Sequence, residues 1–90
     1  MRSVFDSITV ETDKKGTPAC LNWNGRKFKV SRVLDRWRYV GKWWLFSGGQ
    51  TRIYFRLEAR PVLERQTLAP ARTVEVFRQD GQWTLSYFCD

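Results

Sequence analysis

Cys20-Leu21-Asn22-Trp23-Asn24-Gly25-Arg26-Lys27-Phe28-Lys29-Val30 is the stretch that decides the fold class. Asn-Gly accepts the positive φ values that a two-residue type I′ turn needs at both central positions, and that turn matches the twist of the strands it joins. After the turn, Phe28 and Val30 fall on one side of an extended chain and Lys27 and Lys29 on the other. A period of two is that of a strand with one face buried. The segment predicts a β-hairpin, and the rest of the chain can be read outward from it.

On the N-terminal side, Ile8 and Val10 alternate with Thr9, Glu11 and Asp13 until Lys15-Gly16-Thr17-Pro18 breaks the strand. On the C-terminal side, residues 31–41 allow two readings. Ser31 caps a short helix ended by Gly41, with Val33, Leu34, Trp37 and Val40 at helical spacing; or the strand continues through a bulge that moves the apolar phase from Phe28 and Val30 to Val33. The extended reading is favoured, because β-branched and aromatic residues dominate the segment.

Residues 42–46, Lys-Trp-Trp-Leu-Phe, read as a short apolar strand turned by Ser47-Gly48-Gly49. From 51 to 60 the alternation is clean, with Ile53, Phe55 and Leu57 expected inward and Arg52, Tyr54, Arg56 and Glu58 outward. Residues 61–71 carry two prolines and little periodicity, which predicts a loop with room for a helical turn around 63–67. A second hairpin, 73–78 with 82–88, turns at Asp80-Gly81 and directs Trp83, Leu85 and Tyr87 inward. Trp23, Trp43 and Trp83 are expected in the core. The sum is a mostly β, single-domain chain of six or seven strands with at most one short helix. Its expected architecture is a small antiparallel barrel or strongly bent sheet, SH3-like or OB-like, whose closure protects its edges.

Ninety residues leave no room for a multidomain enzyme. The chain has no histidine, which removes the commonest general base and metal ligand. Cys20 and Cys89 form no CxxC, and no apolar run reaches the length of a membrane span. Reduced thiols, a cytoplasmic location, and no metal, cofactor or small-molecule substrate are expected. The carboxylates make no close pair, and Asp35 suits an ion pair or a turn cap. Gly48 and Gly49 are not followed by the lysine and helix of a phosphate loop. A non-catalytic role follows as the expectation.

The formal charge is +7, from 16 Lys and Arg against 9 Asp and Glu. All of the excess lies between residues 26 and 60, which carry +8 while the remainder carries −1. The same stretch holds Phe28, Trp37, Tyr39, Trp43, Trp44, Phe46, Tyr54 and Phe55. Guanidinium groups pair with phosphates and aromatic faces stack on unpaired bases, so this interleaving points to a nucleic-acid-binding surface. The candidate phosphate contacts are Arg26, Lys27, Lys29, Arg36, Arg38, Arg52 and Arg56, with Tyr54 and Trp37 as candidate stacking residues. If the strands bearing them are adjacent, Lys27, Lys29, Arg52, Tyr54 and Arg56 form one basic surface. The plainer alternatives are a solvated strand face and an arginine stacked on Trp37 as a cation–π pair.

Several of these motifs together resemble a known family. Trp23-x-Gly25-Arg26-x-Phe28-x-Val30, Val33-Leu34-Asp35-Arg36-Trp37-Arg38, Trp43-Trp44, Tyr54-Phe55-Arg56-Leu57-Glu58 and Gly81-x-Trp83 look like a small bacterial domain of unknown function associated with Y-family translesion and other error-prone DNA polymerases. The resemblance spans about residues 6–88 and is most specific over Leu34-Asp35-Arg36-Trp37-Arg38 and the tryptophan pair, while the longer 61–71 segment departs from it. It implies a place in DNA damage tolerance and brings no catalytic residues. The expected function is a DNA-binding accessory in repair or translesion synthesis, with DNA favoured over RNA and a polymerase as a possible partner. The alternatives are a protein-docking module and an RNA-binding barrel.

Overall fold

The computed structural model describes residues 2–40, 51–62 and 70–89, and its regular structure is entirely β. The strands are β1 (Arg2–Thr12), β2 (Pro18–Trp23), β3 (Arg26–Tyr39), β4 (Arg52–Pro61), β5 (Arg72–Gln79) and β6 (Gln82–Cys89). Each pairs antiparallel with the next, and β1 returns to pair with β6, closing a six-stranded barrel. Closure pairs each of the six described strands on both sides, which leaves none of them as an edge for another chain to extend.

The turns follow from their residues. Asn24 and Gly25 have φ of 52° and 78°, and Asp80 and Gly81 have 55° and 73°. Both hairpins therefore have two-residue loops, flanked by the pairs Trp23–Arg26 and Gln79–Gln82. Between β1 and β2, the Asp13 carboxylate accepts from the backbone N–H of Lys15 at 2.8 Å and of Thr17 at 3.0 Å, standing in for backbone acceptors.

Residues 31–39 are extended, so the helical alternative is not adopted. β3 passes two bulges on its way along β4, one between Val30 and Arg32 and one between Val33 and Asp35. Each extra residue reverses the alternation. Val33 thus joins Phe28 and Val30 opposite the inward side of β4, and beyond the second bulge Arg36 and Arg38 oppose Phe55 and Ile53 while Trp37 and Tyr39 oppose Tyr54 and Arg52.

Leu21, Phe28, Phe55, Leu57, Ala59, Val74, Val76 and Leu85 form the buried core, with Ile8, Val10, Trp23, Ile53, Trp83 and Phe88 packed against it. Trp23 and Trp83 thus pack against the core while remaining partly exposed. The Trp23 indole N–H donates to Asp6 Oδ2 at 2.9 Å, a partly buried bond between β2 and β1.

Tyr87 departs from its expected inward position and is exposed. Glu75 opposes Tyr87 and Val76 opposes Leu85, so Ser86 is an extra residue that reverses the alternation of β6. Phe88 takes the inward place instead, 5.3 Å from Trp23 and 6.1 Å from Phe28 between ring centroids. β4 also runs one residue into the stretch expected to be a loop. Pro61 is the last residue of β4 opposite Phe28, and the Val62 N–H donates to the Lys27 carbonyl at 2.8 Å. The strand expected at 42–46 with Trp43 and Trp44, the turn at 47–49 and the helical turn at 63–67 lie outside the described residues.

Candidate nucleic-acid interface

β3 and β4 form the longest paired ribbon of the barrel and carry all nine candidate residues. Lys27 and Lys29 stand outward and exposed near the first hairpin, opposite Asn22 and Cys20 of β2, with exposed Arg26 at the turn itself. Across β4, the partner of Lys29 is Arg60, whereas Arg56, Tyr54 and Arg52 oppose Asp35, Trp37 and Tyr39. Antiparallel pairing thus splits the anticipated basic surface into two groups on one ribbon. At roughly 3.3 Å per strand residue, Lys29 and Trp37 are about 25 Å apart.

At the far group, side chains from several strands meet. The Trp37 and Tyr54 rings stack at 5.2 Å with 4° between their planes. Tyr54 also packs on Phe77 of β5 at 5.1 Å, and Phe77 meets Phe5 of β1 edge-on at 6.5 Å. A row of four rings therefore crosses the outside of the barrel, with Phe77 buried under its neighbours. Arg52 braces this row. Its guanidinium lies 4.3 Å from the Phe77 centroid, its Nε donates to Gln79 Oε1 at 3.0 Å, and its Nη1 donates to Tyr54 Oη at 3.2 Å. Arg56 lies over Trp37 at 5.4 Å, the cation–π arrangement anticipated for this tryptophan, but with an arginine from the facing strand rather than from either sequence neighbour.

Arg36 and Arg38 are exposed on the side of the ribbon opposite Trp37, Arg36 lying 5.6 Å from the Phe55 centroid. With Trp37 and Ile53 they line an open hollow of about 290 Å³. Asp35 accepts from the Arg36 backbone N–H at 2.8 Å within β3, at no turn, while Arg32 pairs with Glu58 at 3.4 Å. Cys20 and Cys89 are free thiols. Among the described residues, no three of Cys, Asp and Glu come together as a metal site.

Phe5 is a site residue that the motifs do not single out. It is 59% exposed and sits at a β1 irregularity between Ser3 and Asp6, with φ of 55°. A signal for its direction existed, since the inward alternation of Ile8 and Val10 carried backward leaves Phe5 outward.

A family model described as Domain of unknown function (DUF6504) matches residues 1–90. The chain belongs to the DUF6504 family. No curated protein and no solved structure matches it.

Proposed function

We propose that this DUF6504 domain is a non-catalytic nucleic-acid-binding module, acting on DNA rather than RNA as an accessory in repair or translesion synthesis. The observation that carries this reading is the set of exposed basic side chains along one two-stranded ribbon: Arg26 at the hairpin, Lys27, Lys29 and Arg56 on its outward face, and Arg36 and Arg38 on the opposite face toward its other end. Cations spaced along the length of a ribbon suit a polyanion longer than any small ligand. Arg52, held by Gln79 and Tyr54, lies beyond Arg56 at the far end of the ribbon, opposite Tyr39. The link to translesion polymerases rests on the resemblance of the motifs.

The test is titration of a labelled oligonucleotide over a salt series. If these six cations each neutralise one phosphate, log Kd against log salt has a slope of about 4 on single strands and about 5 on duplex. Lys27→Glu, Lys29→Glu, Arg36→Glu and Arg38→Glu combined weaken binding at least tenfold and flatten the slope, with the unfolding midpoint kept as a control. Undetectable binding at low salt refutes the reading. Competition between matched DNA and RNA decides the nucleic acid.

A second reading, docking on a protein such as a polymerase, draws on the exposed Val33, Leu34, Tyr39 and Val40 of the same ribbon. It is supported if a polymerase is retained after nuclease treatment by a domain that binds no oligonucleotide.

A further inference from the structure

On the outer face of β4, β5, β6 and β1 lies an open hollow of about 420 Å³, bordered on one side by Arg52 at the end of the basic ribbon. Phe77 and Thr84, a facing pair on β5 and β6, lie at its base. Phe5 borders it from β1 and Arg52 from β4. The remaining border is the β5–β6 turn, where Gln79, Asp80 and Gln82 supply carboxamide and carboxylate groups.

Three properties of this hollow point to one ligand chemistry. First, it combines an exposed aromatic ring with polar groups that both donate and accept hydrogen bonds, which suits a flat ring with a polar edge. Second, Phe5 holds a left-handed backbone conformation that a bulky L-residue rarely adopts, yet its ring is left mostly in solvent rather than buried. Backbone outliers of this kind gather at ligand-binding positions. Third, Tyr54 and Trp37 are stacked on one another and Phe77 is covered, whereas Phe5, at the end of the same row of rings, is 59% exposed.

We infer that this hollow receives a single unpaired nucleobase, stacked on Phe5 with its edge toward the β5–β6 turn. The inference rests on the nucleic-acid reading above and adds a base-binding position to its phosphate contacts. A domain built this way holds single-stranded or distorted DNA in preference to a regular duplex, because a paired base has no free face to offer.

The probes are a labelled single-stranded DNA oligonucleotide and an abasic oligonucleotide of equal length, which keeps the phosphates and lacks the bases. The intact domain is expected to bind the base-bearing strand at least about fivefold more tightly, the lower range of one base–aromatic stack. Phe5→Ala should remove that preference while leaving abasic affinity unchanged. Gln82→Ala, at an exposed turn position, should reduce it in part. The charge-reversed variant should weaken both probes alike. Equal affinity of the intact domain for the two probes, or a preference that survives both Phe5→Ala and Gln82→Ala, overturns the base site and leaves phosphate binding standing. Failure of both probes to bind at low salt overturns both.

Discussion

Phe5 and Gly25 share the left-handed region of backbone space at φ of 55° and 78°, but with opposite consequences. For Gly25 the conformation is free, and a Cβ added there would meet nothing within 4 Å. Gly25→Ala should therefore cost about 1 kcal/mol through the backbone alone, measurable as a lower urea midpoint with unchanged slope. For Phe5 the same region costs about 1–2 kcal/mol, offset in part by the contact with Phe77. Phe5→Gly removes both strain and contact, so its net effect on stability should stay within about 1 kcal/mol even where ligand binding changes. Asp6 acts differently, as an inward acceptor for the Trp23 indole. Asp6→Ala strands that donor and should cost about 1–3 kcal/mol in urea unfolding, while Asp6→Asn, which keeps an acceptor oxygen, should cost less.

At the scale of elements, two serines do matching work. Ser86 is 2% exposed and donates to the Glu75 carbonyl at 3.1 Å; Ser31 is exposed and donates to the Glu58 carbonyl at 3.0 Å. Each stands at a β-bulge, where an extra residue interrupts the ladder and its hydroxyl supplies a cross-strand bond. Ser86→Ala should cost about 1–3 kcal/mol, because water does not readily replace the lost partner. Ser31→Ala should cost under about 0.5 kcal/mol, and thermal unfolding of the two variants checks the contrast. The bulges also explain what could be read from the residues and what could not. Asn24-Gly25 and Asp80-Gly81 specify their hairpins locally, and the alternation of 51–60 shows directly in the burial of Phe55 and Leu57. The second bulge in β3 and the one at Ser86 leave no local signature, since their positions are set by the strand opposite. For that reason alternation alone places Tyr87 on the inner face, and it does not carry the phase of Arg36 and Arg38 past Val33. The candidate site was legible as composition, with all its residues on one ribbon. Their division into two groups, and the packing of Arg52 on Phe77, depend on register and on β5.

For the whole molecule, the decisive quantity is where charge and closure fall. Residues 26–60 carry +8 against −1 elsewhere, and one facing pair on the ribbon, Lys29 and Arg60, is of like charge. Screening that repulsion should raise the unfolding temperature by a few degrees between low and moderate sodium chloride, and the charge-reversed variant should lose most of this increase. Closure depends on β1, which pairs with β2 on one side and with β6 on the other, joining partners as distant in sequence as Arg2 and Phe88. A growing chain can form the β2–β3 hairpin early, yet β1 must wait with one side unpaired until β6 has been synthesised. The barrel therefore matures late, with folding times in the millisecond-to-second range of non-local β topologies, and its interval of greatest exposure to proteolysis and aggregation falls during translation.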